Sequence, residues 1–159
     1  MGWGSDANSG LRTVAMTTLV HGTCVRLGEA GVLLLGPSAS GKSDLALRLI
    51  DGGATLVADD QVLVEAASGA LLASAPPNLP AKLEVRGIGL IRVPVAPRVL
   101  LALAVDLDPA ALGERLPTAE RWRCEGLAIP LVRMDAFAAS AAAKVRLAAA
   151  QAAEQEAAP

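Results

Sequence analysis

The stretch Val32-Leu33-Leu34-Leu35-Gly36-Pro37-Ser38-Ala39-Ser40-Gly41-Lys42-Ser43 constrains this chain more than any other. An apolar run with the pattern of a buried strand ends in a glycine. A tight loop follows, closed by Gly41-Lys42-Ser43, and Asp44-Leu45-Ala46-Leu47-Arg48-Leu49-Ile50 continues with helix formers. The spacing G-x-x-x-x-G-K-[ST] is met in full, in the strand–loop–helix context it requires. Glycines let the backbone turn sharply and bring its N–H groups close to phosphate oxygens. The helix N-terminus adds partial positive charge. In this arrangement Gly36, Pro37, Ser38, Ala39, Ser40 and Gly41 form the cradle, Lys42 reaches the β- and γ-phosphates and Ser43 ligates Mg²⁺. The expectation is a P-loop-containing α/β protein that binds ATP and Mg²⁺.

The rest of the composition sets limits. With 159 residues, 53% hydrophobic and 19% charged, the chain suits one globular domain with a real core. Aromatics are only 2%, so that core is built from Leu, Val, Ile and Ala. A formal net charge of −2 argues against a nucleic-acid binder. The apolar runs are broken well before the roughly 20 residues a membrane span needs. Cys24 and Cys124 have no metal-ligand spacing, and with a single histidine a zinc site is not expected. They read as reduced thiols.

Residues 1–12 read as a flexible tail, 13–134 as the domain core and 135–159 as its alanine-rich C-terminal helix, starting at Asp135. Between them lie one or two strands in Thr13–Arg26, a strand at Ala54–Ala58 and a Ser68-Gly69 hairpin. A rigid Pro76–Pro80 loop, a strongly apolar strand at Val99–Leu107 and a last strand near Cys124–Leu131 complete the order. This order has many strands and few helices, unlike the steady β–α alternation of a nucleotide kinase.

Phosphoryl transfer also needs charge stabilisation and a group that orients the attacking oxygen. Asp59-Asp60 ends an apolar strand, where ligands of open α/β sheets bind. Such carboxylates can hold Mg²⁺ or take a proton from a hydroxyl. Glu84 and Arg86 flank Val85, so on a strand both face one way, as an ion pair or as metal and phosphate ligands. His21, a lone histidine, is by frequency more often structural. Arg115 lies in a polar loop, where most arginines are only solvated.

In combination, His21-Gly22-Thr23, Gly36 to Leu47, Leu56-Val57-Ala58-Asp59-Asp60 and Leu83-Glu84-Val85-Arg86-Gly87-Ile88-Gly89 resemble the catalytic domain of HPr kinase/phosphorylase. The blocks stand in that family's order across roughly residues 14–93. The resemblance implies a mixed-sheet fold similar to phosphoenolpyruvate carboxykinase, and a bacterial, cytoplasmic, ATP-dependent serine kinase acting on the phosphocarrier HPr. It implies Asp59 as base, Asp60 as its support, Ser43, Glu84 and Asp60 as metal ligands, and His21 as an active-site histidine. Glu114-Arg115-Leu116 is similar to the family's D-R-L segment, which makes Arg115 its active-site arginine. A homo-oligomer is implied, usually a hexamer. Members usually carry a further N-terminal domain, so the chain resembles the truncated proteobacterial form. The family's V-K-x-G-R-N segment, linked to phosphorylase activity, reads here Val132-Arg133-Met134-Asp135-Ala136-Phe137. Its glycine and asparagine are missing, with Arg133 left as a candidate phosphate or partner contact. The sequence also allows two other readings, a P-loop kinase of a small metabolite and a nucleotide-sensing regulator without catalysis.

Overall fold

The computed structural model describes residues 16–112 and 119–157. Its strands are β1 (Met16–His21), β2 (Thr23–Leu27), β3 (Ala30–Leu35), β4 (Thr55–Ala58), β5 (Gln61–Ala67), β6 (Ala70–Ser74), β7 (Leu83–Val85), β8 (Gly89–Ile91), β9 (Arg98–Asp106), β10 (Glu120–Cys124) and β11 (Leu127–Arg133). The helices are α1 (Lys42–Asp51) and α2 (Ala141–Ala157), with one 3₁₀ turn at Pro109–Ala111. The architecture is thus α/β with a large curled mixed sheet and few helices, as expected. No helix among the described residues is long and apolar enough to cross a membrane.

The sheet is built around β9. Its first half pairs antiparallel with β6, its second half parallel with β11, and its other edge runs parallel to β3. The ladder to β3 slips between Leu101 and Leu103, an irregularity that bends β9 and lets its two halves serve differently directed parts of the sheet. The order β1-β5-β6-β9-β3-β2-β4 completes the sheet, with the β10–β11 hairpin branching from β9. The hairpin β7–β8 stands apart as a two-stranded piece.

Strand alternation sends successive side chains to two cores. Val32 and Leu34 of β3, with Leu103 and Val105 of β9, meet Leu45, Ala46 and Leu49 of α1 and Ala141, Val145 and Ala149 of α2. Leu33 and Ala104 point the other way, onto Val62, Val64, Leu71 and Ala73, where the sheet curls back. Cys24 and Cys124 belong to this second core and are free thiols. Burial pushes the Cys24 thiol up, which keeps it protonated and unreactive.

Three sequence expectations change. Arg86 lies in the turn after β7 and not on the strand, because Gly87 and Gly89 take φ of +87° and +117° and close the hairpin there. The C-terminal helix starts at Ala141, not Asp135, because the Asp135 carboxylate accepts from the Phe137 N–H and turns the chain first. The single late strand is a hairpin, turned at Glu125 and Gly126 with φ of +48° and +79°.

Arg133 is also redirected. It donates to both carboxylate oxygens of Glu120, at 2.8 and 3.0 Å, and to Asp106 Oδ2. It therefore ties β11 to β10 and β9 as an internal ion-pair network. The Arg133 guanidinium holds the Glu120 carboxyl below its ordinary 4.5. A carboxyl lowered on folding stabilises the fold fully above that ordinary value and loses its contribution as pH falls through the lowered one. Glu120→Gln should therefore flatten the acid limb of Tm between pH 7 and pH 3. An acid limb identical to that of the parent protein would show that the Glu120–Arg133 pair does not shape acid stability.

Candidate functional site

The sheet brings the site residues to one end. β3, β9 and β11 are parallel, with Leu35, Asp106 and Arg133 level in the ladders. β2 runs back antiparallel to β3, and β4 antiparallel to β2 with Ala58 opposite Cys24. The carboxyl end of β4 therefore returns to the level where the phosphate loop leaves β3, and Asp59 follows at once.

The loop from Gly36 to Gly41 is held open by backbone conformation. Ala39 and Gly41 have φ of +66° and +95°, and Gly41 is the residue before α1. No side chain among the described residues caps that helix, which leaves its first N–H groups for an external acceptor. Ser40 is 3% exposed, and its hydroxyl has no hydrogen-bond partner among the described residues. Such a group is costly unless a ligand satisfies it. Lys42 is 8% exposed, and its Nζ donates to the carbonyls of Gly36 at 2.7 Å and Pro37 at 3.0 Å. Burial lowers the Lys42 pKa from its ordinary value, while Asp60 and Asp59 work against that shift.

Asp59 is fixed from three sides. Its Oδ1 accepts from Thr23 Oγ1 at 2.8 Å and Ser43 Oγ at 3.0 Å, and its Oδ2 from the Glu84 N–H at 3.3 Å. Asp60 adopts φ of +71°, a left-handed conformation that Asp tolerates better than most residues. That turn separates the two carboxylates. Asp60 Oδ1 lies 3.5 Å from His21 Nδ1, in a largely exposed pair. The Gly22 N–H donates to the Asp60 carbonyl at 3.1 Å. A Cβ on Gly22 would press within 2.7 Å of the Leu34 carbonyl, so only glycine lets β1 and β2 meet here.

The structure thus brings together Lys42, Ser43, Asp59, Asp60, His21 and the backbone of Glu84. Ser43 bonds to Asp59 and not to Asp60, and the Glu84 side chain is exposed. Arg115 lies outside the described residues. Among those residues no group of three or more His, Cys, Asp or Glu side chains is arranged to hold a metal by itself. The donor set still suits Mg²⁺, which keeps several waters and takes one or two protein oxygens plus phosphate oxygens. Ser43 Oγ and Asp59, already in contact, are the residues that would hold it, and it would neutralise phosphate charge. A cavity of about 660 Å³ lies elsewhere, beside the Gly28–Glu29 turn, Gly53, Leu101 and Ala149. It belongs to the opposite end of β3 and lacks these groups.

Two residues of the site carried no assigned role in the sequence. Thr23 stands in the run His21-Gly22-Thr23, and its strand position opposite Leu34 turns it towards Asp59. Arg48 of α1 donates to Asp44 at 3.1 Å and to the carbonyls of Ala136 and Ala138, which straps the segment after β11 onto the phosphate-loop helix. Its i,i+4 spacing from Asp44 was the available signal.

Comparison with known proteins places the chain in a family. The model of the HPr Serine kinase C-terminal domain matches residues 12–96, more than half of the chain. The HPr kinase/phosphorylase of Chromobacterium violaceum is 40% identical over 107 residues, covering 62% of this chain and 34% of that protein. The one from Clostridium tetani is 39% identical over 110 residues, covering 69% and 34%. The chain thus spans about a third of the length of these curated relatives. In fold it is similar to the Hpr(Ser) kinase/phosphatase of Coxiella burnetii, with a TM-score of 0.76 at 23% identity, covering 87% of this chain and 99% of that one. With its phosphate loop, its β4 aspartates and its β7–β8 hairpin inside or beside the matched stretch, this chain belongs to the HPr Serine kinase C-terminal domain family.

Proposed function

We propose that this chain is an ATP- and Mg²⁺-dependent kinase that phosphorylates a seryl residue of the phosphocarrier HPr or a related phosphocarrier. The observation that carries the reading is Asp59. It sits at the carboxyl end of β4, bonded to the Ser43 hydroxyl of the phosphate loop and to Thr23. In the forward direction the loop and Lys42 hold the triphosphate. A serine hydroxyl attacks the γ-phosphorus, the bond to the β-bridging oxygen breaks, and the serine proton passes to Asp59. His21 and Asp60 line the entry of the substrate serine, and Arg115 supplies further positive charge. Ser43 and an acidic side chain would hold Mg²⁺, which would supply positive charge to the phosphates.

The names of the relatives support a second reaction at the same site. Inorganic phosphate would attack the phosphoserine, giving pyrophosphate, and Asp59 would return its proton to the serine oxygen. The protein would act in the cytoplasm as a homo-oligomer, in regulation of the phosphotransferase system and carbon metabolism. Residues 13–134 and the C-terminal helix would form one domain, since α2 shares the core of α1. The test follows the intact mass of HPr-type phosphocarriers incubated with the protein and Mg·ATP. One added phosphate on serine is expected. ATP binding with no phosphocarrier modified would overturn the substrate assignment.

A further inference from the structure

Phe137 is the only phenylalanine of the chain, and it is 64% exposed. A residue recruited for the core would be hidden. Instead its ring reaches the phosphate loop. A Cβ built on Gly41 would lie 3.1 Å from Phe137 Cζ, 3.2 Å from Cε1 and 2.8 Å from the Ala136 Cβ. The far edge of the ring thus rests on the loop residue next to Lys42, and only glycine leaves it room.

The backbone that carries the ring is also held in advance. Asp135 Oδ1 accepts from the Phe137 N–H at 3.0 Å, and the Ala138 N–H closes the turn onto the Asp135 carbonyl at 3.2 Å. Arg48 grips the carbonyls of Ala136 and Ala138 on either side of it. Arg48 stands on α1, whose N-terminus is the phosphate site, so the segment that carries the ring is bonded to the loop's own helix. A fixed aromatic surface loses little entropy when a flat partner stacks on it.

Topology decides which partner. Across the end of the sheet where β11, β9, β3 and β4 finish and β2 begins, the order runs β11-β9-β3-β2-β4. Asp59 follows β4 on one side of the loop, and Phe137 follows β11 on the other. With the transferring phosphate directed at Asp59, the nucleoside is left to the β11 side. The buried, unpartnered Ser40 hydroxyl within the loop independently marks the place of a polar ligand.

We propose that Phe137 is the stacking platform for the base of the bound nucleoside triphosphate. This rests on the reading of Gly36–Ser43 as a triphosphate site. Because stacking uses the π-face shared by all bases, the platform binds nucleotides without reading the edges of their bases.

The test compares Mg·ATP with inorganic tripolyphosphate, which has the phosphates but no base, by calorimetric titration of the parent protein, Phe137→Leu and Phe137→Tyr. Leucine keeps bulk against Gly41 and removes the π-face. Phe137→Leu should weaken ATP by about 5- to 150-fold and change tripolyphosphate by no more than about two-fold, whereas Phe137→Tyr should bind both like the parent. Equal loss of both ligands in Phe137→Leu would show a role in shaping the loop and overturn the proposal. Unchanged ATP affinity in Phe137→Leu would overturn it too, with the phosphate site intact. A parent protein that binds neither ligand would overturn both the platform and the triphosphate site beneath it.

Discussion

Asp59→Asn should reduce phosphoryl transfer by about 10²- to 10⁴-fold, the usual contribution of a positioned general base. The substitution is chosen because it keeps the side chain in place. The remaining carbonyl oxygen still accepts from Thr23 and Ser43, as Asp59 Oδ1 does at 2.8 and 3.0 Å. The new amide nitrogen replaces Oδ2, which faces the Glu84 N–H at 3.3 Å, so one weak contact becomes donor against donor. That costs about 1–3 kcal/mol at most, since the group is near solvent. ATP affinity should stay within about ten-fold of the parent, because Asp59 contributes a base and at most one metal ligand, while the loop holds the phosphates. Single-turnover transfer with ATP affinity measured on the same preparation separates the two. Near-normal transfer would show that Asp59 is not the base.

Lys42→Met should lower transfer by about 10²- to 10³-fold, the size expected for losing one preorganised donor at developing charge. Unlike Asp59→Asn, it should also weaken ATP, since Lys42 meets the phosphates in the ground state. Its stability effect should be small. Burial already lowers the Lys42 pKa, so the ammonium is held in the loop at some cost. Methionine of similar length removes that cost while giving up the bonds to the Gly36 and Pro37 carbonyls. These terms oppose each other, and Tm should shift by no more than about 4 °C. A large fall in Tm would mean that Lys42 holds the loop together, and loss of activity could then not be assigned to phosphate binding. Retained transfer would remove Lys42 from the chemistry altogether.

What could be read in the sequence was local, or tied to one edge of the sheet. The phosphate loop was legible because strand, turn and helix are contiguous and each residue type answers a local demand. Asp59 was legible because its apolar strand ends in charge. The pairing of Asp59 with Ser43, 16 residues apart, follows from the short path through α1 and β4. Other features depended on folding. Arg133 looked free for a ligand because Glu120 and Asp106 are 13 and 27 residues away and meet it only across the β9–β11–β10 ladders. The split between Asp59 and Asp60 needed the left-handed turn at Asp60, which neighbouring aspartates alone do not announce. The hairpin at Glu125-Gly126 did leave a signal, a glycine between two apolar alternations. The late start of α2 shows a side-chain turn at Asp135 overriding alanine helix propensity.

Gly36 to Ser43 should hold the triphosphate with its terminal phosphate facing Asp59. The most direct measurement is a crystal structure of the protein with Mg²⁺ and a non-hydrolysable ATP analogue. The β- and γ-phosphates should lie on the N–H groups that open α1. Ser43 Oγ should have left Asp59 for the metal, and Lys42 Nζ should have left the Gly36 and Pro37 carbonyls for phosphate. An analogue seated elsewhere, such as the cavity near Gly53 and Ala149, with Ser43 still bonded to Asp59, would contradict it.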